Sequence, residues 1–151
     1  MSHVTALERA LQTAYLWIDE LDHELGWFDR QHGYVALRAA LHALRDRLPV
    51  NEAADLAAQL PLVVRGIYFE GWRPAASPDR VRDLAGFLEP IDGALRFERE
   101  SDAEEVARAV FQLLAHHLTA GEIGDVVATL PTPIAALFPA GAPAEVSDEL
   151  W

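Results

Sequence analysis

RAALHALRDRLPVNEAADLAAQLPLVVRGIYFEG, Arg38–Gly71, returns without a gap 70 residues later as RAVFQLLAHHLTAGEIGDVVATLPTPIAALFPAG, Arg108–Gly141. Identical pairs include Arg38/Arg108, Leu44/Leu114, Leu48/Leu118, Glu52/Glu122, Asp55/Asp125, Leu60/Leu130 and Pro61/Pro131. Other positions exchange apolar for apolar, as in Leu41/Phe111 and Tyr68/Phe138. Self-similarity at a fixed period signals a repeated structural unit.

The spacing within the first copy is helical. Leu37, Leu41, Leu44 and Leu48 recur at steps of three and four, which places them on one helix face. Pro49 ends that helix, because proline disfavours helical backbone in the residue before it. Ala53, Leu56, Ala57 and Leu60 mark a short third helix. Leu62–Phe69 is a fourth, nearly free of polar residues, and Gly71 stops it. Upstream, Val4, Leu7, Leu11, Ala14, Ile18, Leu21 and Leu25 form a stripe of heptad type. It predicts a helix from about Val4 to Leu25, ended by Gly26, and serves either as a packing seam or as a coiled-coil surface.

In the second copy, Ser77-Pro78-Asp79 predicts a helix start, with Pro90 kinking or stopping that helix early. Phe97–Glu100 reads as a charged linker. Ser101-Asp102-Ala103-Glu104 and Thr119-Ala120-Gly121-Glu122 both read as capping boxes. The chain therefore reads as all-α, a tandem duplication of a four-helix unit with about eight helices in one bundle. Residues 1–76 are the first unit, 77–141 the second and 142–151 an acidic tail.

The net charge of −12 and the absence of lysine argue against nucleic acid and anionic membrane partners. After Arg108 every charged side chain is acidic. The lack of cysteine removes disulfides, thiolate sites and thiol nucleophiles. Neither a leader-like N-terminus nor an apolar run of spanning length is read, so a cytoplasmic location is expected.

The run Leu37-Arg38, Leu41-His42, Leu44-Arg45-Asp46-Arg47-Leu48-Pro49, Gln59-Leu60-Pro61, Arg65-Gly66, Tyr68 and Gly71-Trp72 resembles the bacterial domain-of-unknown-function family 2267. The likeness covers about Val4 to Phe138. It implies a small helical protein and carries no reaction, cofactor or catalytic residue. The second copy departs from the hallmark, with Thr119 for the proline and Ala135-Ala136 for Arg65-Gly66.

Candidate sites follow from the comparison of copies. Arg38 with Asp55, and Arg108 with Asp125, are expected to form ion pairs tying second to third helix in each copy. Glu52 and Glu122 sit near helix starts, where a carboxylate offsets free amides and the helix dipole. Neither catalytic motifs nor phosphate-binding glycine loops are present, so no enzyme and no cofactor is expected. Weak metal candidates are His42 with Asp46 one turn on, and His116 and His117, which at about 100° apart on one helix do not readily share an ion. Arg65, Tyr68, Trp72 and Arg73 form an aromatic and arginine group of the kind enriched at interfaces. Leu150-Trp151 ends the tail either as a docking segment or as a latch folded back. The expected function is a protein-interaction or scaffold module, engaging a protein partner or a second copy. A small-ligand or metal-binding bundle is the alternative.

Overall fold

The computed structural model describes residues 2–96 and 102–139. Among them are eight α-helices and no strand. The first, α1, spans Thr5–Leu25 and stops at Gly26, whose left-handed backbone (φ 72°) lets its N–H turn back onto the Asp22 and His23 carbonyls. The second, α2, spans Arg30–Arg47. The Asp29 carboxylate caps it by accepting from the Gln31 and His32 amides. Then follow α3 (Val50–Ala58) and α4 (Leu62–Phe69).

After a connection over 70–83 come α5 (Leu84–Ala94), α6 (Ala103–His117), α7 (Ala120–Ala128) and the single turn α8 (Thr132–Ala135). Proline or a capping threonine precedes each of α3, α4, α7 and α8, at Pro49, Pro61, Thr119 and Pro131. The Phe97–Glu100 linker, Ser101 and the acidic tail lie outside the described residues.

Two helices make the centre. Helix α2 touches α1, α4, α5 and α6, and α6 touches α1, α2, α5 and α7. Leu37, Leu41, Leu44 and Leu48 are fully buried, as their spacing predicts, and so are Val106, Val110, Phe111 and Leu114. One continuous apolar cluster includes side chains from Trp17 to Phe138. Burying each large side chain in it contributes roughly 1.5–3 kcal/mol.

Three local expectations are corrected. Helix α5 starts at Leu84, capped by the Asp83 carboxylate bonding the Gly86 amide, and not at Ser77-Pro78-Asp79. That segment is instead tied to α2, the Asp79 N–H bonding the Asp46 carbonyl at 2.8 Å. Of the kink or early stop expected at Pro90, the stop does not occur, since α5 continues to Ala94. The box at Thr119 is half closed: its hydroxyl accepts from the Glu122 amide, while the Glu122 Oε2 is buried without a partner.

Gly33 lies inside α2, where glycine costs about 1 kcal/mol relative to alanine. The close approach of α1 explains it. A Cβ at Gly33 would collide with the Asp22 carboxylate, itself 3% exposed. Gly33→Ala is therefore expected to destabilise the fold by about 1–3 kcal/mol through overpacking. A urea midpoint that falls at unchanged slope checks this. A midpoint that rises, as helix propensity alone would give, contradicts it.

Candidate functional site

Among the described residues, no third metal-ligating side chain gathers with His42 and Asp46. Asp46 accepts from the Arg45 Nε at 2.9 Å. His42 Nε2 lies 2.7 Å from the Ile67 carbonyl. A carbonyl only accepts, so this nitrogen carries the proton. Burial pushes the His42 pKa below its ordinary value, against the hydrogen bond to Ile67. The imidazole lines a cavity of about 200 Å³ between α2 and α5, with Arg38, Asp46, Asp79 and Phe87.

The expected arginine–aspartate pairs are absent. Arg38 Nε binds the Glu70 carboxylate at 2.8 Å, just past the end of α4. Arg108 pairs with Glu104 one turn back and donates to the Ala136 carbonyl just past α8. Arg38 thus anchors α2 on the C-terminus of α4 and Arg108 anchors α6 on that of α8, where a cation complements the helix dipole. Asp55 and Asp125 are exposed on α3 and α7, which pack together. Glu52 lies in the first turn of α3 and Glu122 in that of α7. Burial, then Asp125, Asp55 and Glu122, push the Glu52 pKa up.

The aromatic group is packed rather than offered. Tyr68 is fully buried, and its hydroxyl donates to the Ala53 carbonyl at 2.9 Å. That buried bond corrects its place among the interaction residues, because a ring locked between α3 and α4 has no face for a partner. Trp72 stacks on Phe69 with centroids 5.3 Å apart and donates to the Ser77 hydroxyl. Arg65 is half-buried and donates to the Leu60 carbonyl. Arg73 is exposed. Leu150 and Trp151 lie outside the described residues.

The family-like run Arg45-Asp46-Arg47 is architectural here. Arg45 is 4% exposed and donates to the Tyr68 and Glu70 carbonyls, each at 2.8 Å. Arg47 is buried beside Asp79, 3.8 Å away. Sequence reading missed both, since a charged triplet ordinarily marks a solvated face.

Two features remain that reach solvent. The first joins α1 to the end of α6. Glu20 offers one carboxylate oxygen to His116 Nδ1 at 2.6 Å and the other to His117 Nε2 at 2.9 Å. Burial pushes the Glu20 carboxyl up, but the two imidazole bonds outweigh it and hold the group below the usual carboxylate range. His117 stacks on the buried Trp17, with centroids 4.4 Å apart and 18° between planes. The structure thus brings together two histidines expected to diverge. No sequence signal could have supplied Glu20, which lies 96 residues away from His116.

The second is the start of α1. Every buried residue of α1 lies at Ala14 or beyond. Val4, Leu7 and Leu11 are 60%, 59% and 50% exposed, although they continue the stripe buried at Ala14, Ile18 and Leu21. Helix α6 ends at His117, against Trp17 and Glu20, so the first turns of α1 lie past its end.

Together these define a compact helical bundle with one interior, a polar clasp at one helix end and an apolar helix face that no described residue covers. A search of curated proteins found no match. The family model described as "Uncharacterized conserved protein (DUF2267)" matches residues 14–137, and the chain belongs to that family. The match begins at Ala14, the residue where α1 first becomes buried. No helix among the described residues is long and apolar enough to cross a membrane.

Proposed function

We propose that the chain is a non-enzymatic interaction module that pairs with a second copy of itself through the first half of α1. The exposed Val4–Leu7–Leu11 stripe is the observation that carries this reading. Heptad spacing suits packing against a helix of the same spacing, and a second copy brings one. Charge supports the same occupant. Residues 1–18 contain only Glu8 and Arg9 as charged side chains, so the net charge of −12 lies entirely downstream. Two acidic chains would meet there with the least repulsion.

The fold supports the reading from another direction. We read the chain as two copies of a four-helix unit, α1–α4 and α5–α8, which share one core. Helix α3 at 50–58 and α7 at 120–128 keep the 70-residue offset, and they touch each other. Helices α2 and α6 also touch, while α1 meets α6 and α5 meets α2, which is the reciprocity a twofold relation would give. On that register α5, starting at Leu84, corresponds to α1 from Ala14 on. The turns of α1 before Ala14 have no α-helical counterpart in the second copy, where only a 3-10 turn at Pro74–Ala76 falls in register, and they bury nothing in the core.

Six half-exposed side chains would contribute roughly 5–10 kcal/mol on full burial. Association costs about 4–15 kcal/mol. The pairing is therefore weak and concentration-dependent. Light scattering behind size exclusion is expected to show a dimer at high concentration for the wild type. The double variant Leu7→Glu/Leu11→Glu is expected to be monomeric with unchanged helix content and melting temperature. A wild type that stays monomeric at every concentration, or a variant that still dimerises, overturns the reading. Ligand binding beside His42 has less support, because its cavity is smaller than the ~300–1,000 Å³ of ordinary ligand sites.

A further inference from the structure

We propose that Glu20, His116 and His117 form a site for one divalent transition-metal ion, which fastens α1 to the C-terminus of α6. The ligand atoms, one per residue, all lie within 4.8 Å of one another. An ion about 2.0–2.2 Å from each fits a set of that size with small side-chain adjustments. Two imidazoles and one carboxylate are the donor set of zinc and of non-haem iron, cobalt and nickel sites, and hard oxygen-seeking ions such as calcium are disfavoured.

The convergence has a specific geometric cause. Adjacent residues on a helix leave it about 100° apart. Here His116 presents Nδ1, close to its own backbone, and His117 presents Nε2, at the far side of its ring. The unequal reach compensates for the angle, and Glu20 of α1 stands in front of both. The ring centroids of the two histidines are 4.7 Å apart. Trp17 is 3% exposed and holds the His117 plane by stacking, so one ligand is pre-oriented before any ion arrives. Each ring binds the ion as the neutral tautomer protonated on its other nitrogen, any extra proton going to solvent, and the Glu20 carboxylate that now accepts the two N–H groups turns to the ion instead. Three protein ligands leave coordination positions open to water.

The site is separate from the dimer surface. It uses α1 at Glu20, in the buried half of the helix, and not Val4, Leu7 or Leu11. The test uses the tag-free full chain with Co²⁺ and Zn²⁺ as probes. Co²⁺ is expected to saturate at one ion per chain with visible d–d absorption. Zn²⁺ at about a hundred times its dissociation constant is expected to raise the melting temperature by about 5 °C or more. Glu20→Gln, His116→Gln and His117→Gln each remove the saturable phase, while His23→Gln, an exposed histidine elsewhere on α1, keeps it. Absence of saturable binding in the wild type overturns the proposal. So does equal loss in His23→Gln, or full retention in the site variants.

Discussion

Arg45→Met is expected to lower stability by about 3 kcal/mol. Arg45 sits in the last turn of α2, 4% exposed. Its Nη1 donates to the carbonyls of Tyr68 and Glu70, and its Nε to Asp46. Methionine keeps most of the stem volume, so little cavity forms. What is lost is the donor for two carbonyls at the end of α4, and an unsatisfied buried acceptor costs about 1–3 kcal/mol. Lysine would not restore the arrangement, because one ammonium cannot reproduce the planar fork that serves three acceptors. The melting temperature is expected to fall by roughly 6–12 °C in Arg45→Met. Arg73→Met, at an exposed arginine, should stay within about 0.5 kcal/mol of wild type. Equal stability of the two variants would show that Arg45 does not hold α4 in place.

Asp22→Asn is expected to act in the opposite direction, stabilising the chain at neutral pH by up to roughly 3 kcal/mol. Burial pushes the Asp22 carboxyl up to about 6, and the charges of Asp19 and Asp29 reinforce it. The Asp29 backbone amide and His32 oppose the shift without cancelling it. Its Oδ1 is buried without a hydrogen-bond partner. A carboxyl whose pKa is raised on folding contributes its full stability below its unfolded pKa, near 3.9, and loses it as pH rises through the folded value. The amide carries no charge at any pH, so it avoids that loss. Thermal melts of the two proteins should nearly coincide at pH 4 and separate progressively between pH 4 and 7, with Asp22→Asn the more stable. A separation that is constant with pH, or reversed at pH 7, contradicts the buried-charge explanation.

These two sites show where sequence reading stopped. The helices and the central leucines were legible because 3.6-residue periodicity is local: Leu37, Leu41, Leu44 and Leu48 needed no knowledge of their neighbours to be placed inside. Burial of Arg45 and Asp22 is decided by what arrives from elsewhere, the end of α4 in one case and Gly33 of α2 in the other. Pattern alone assigns such residues to the surface. The stripe of α1 divides into a buried and an exposed part for the same reason. Its spacing is uniform from Val4 to Leu25, but its burial begins only at Ala14, because the turns before that residue lie past the end of α6. The Arg38 and Arg108 repetition pointed to Asp55 and Asp125, whereas the contacts of both arginines lie at helix ends, on Glu70 and the Ala136 carbonyl. The clasp at Glu20 was illegible, since it depends on the antiparallel meeting of α1 and α6.

Self-association through the start of α1 can be read most directly from amide hydrogen exchange over residues 5–13 at low and high protein concentration. A helical segment with no buried residue exchanges fast in a monomer, because local opening exposes nothing to water that was not already exposed. The expected result is protection of these amides that grows with concentration, while the amides of α2 stay equally protected throughout. Uniformly fast exchange over residues 5–13 at every concentration would contradict the assignment of this face to a second copy.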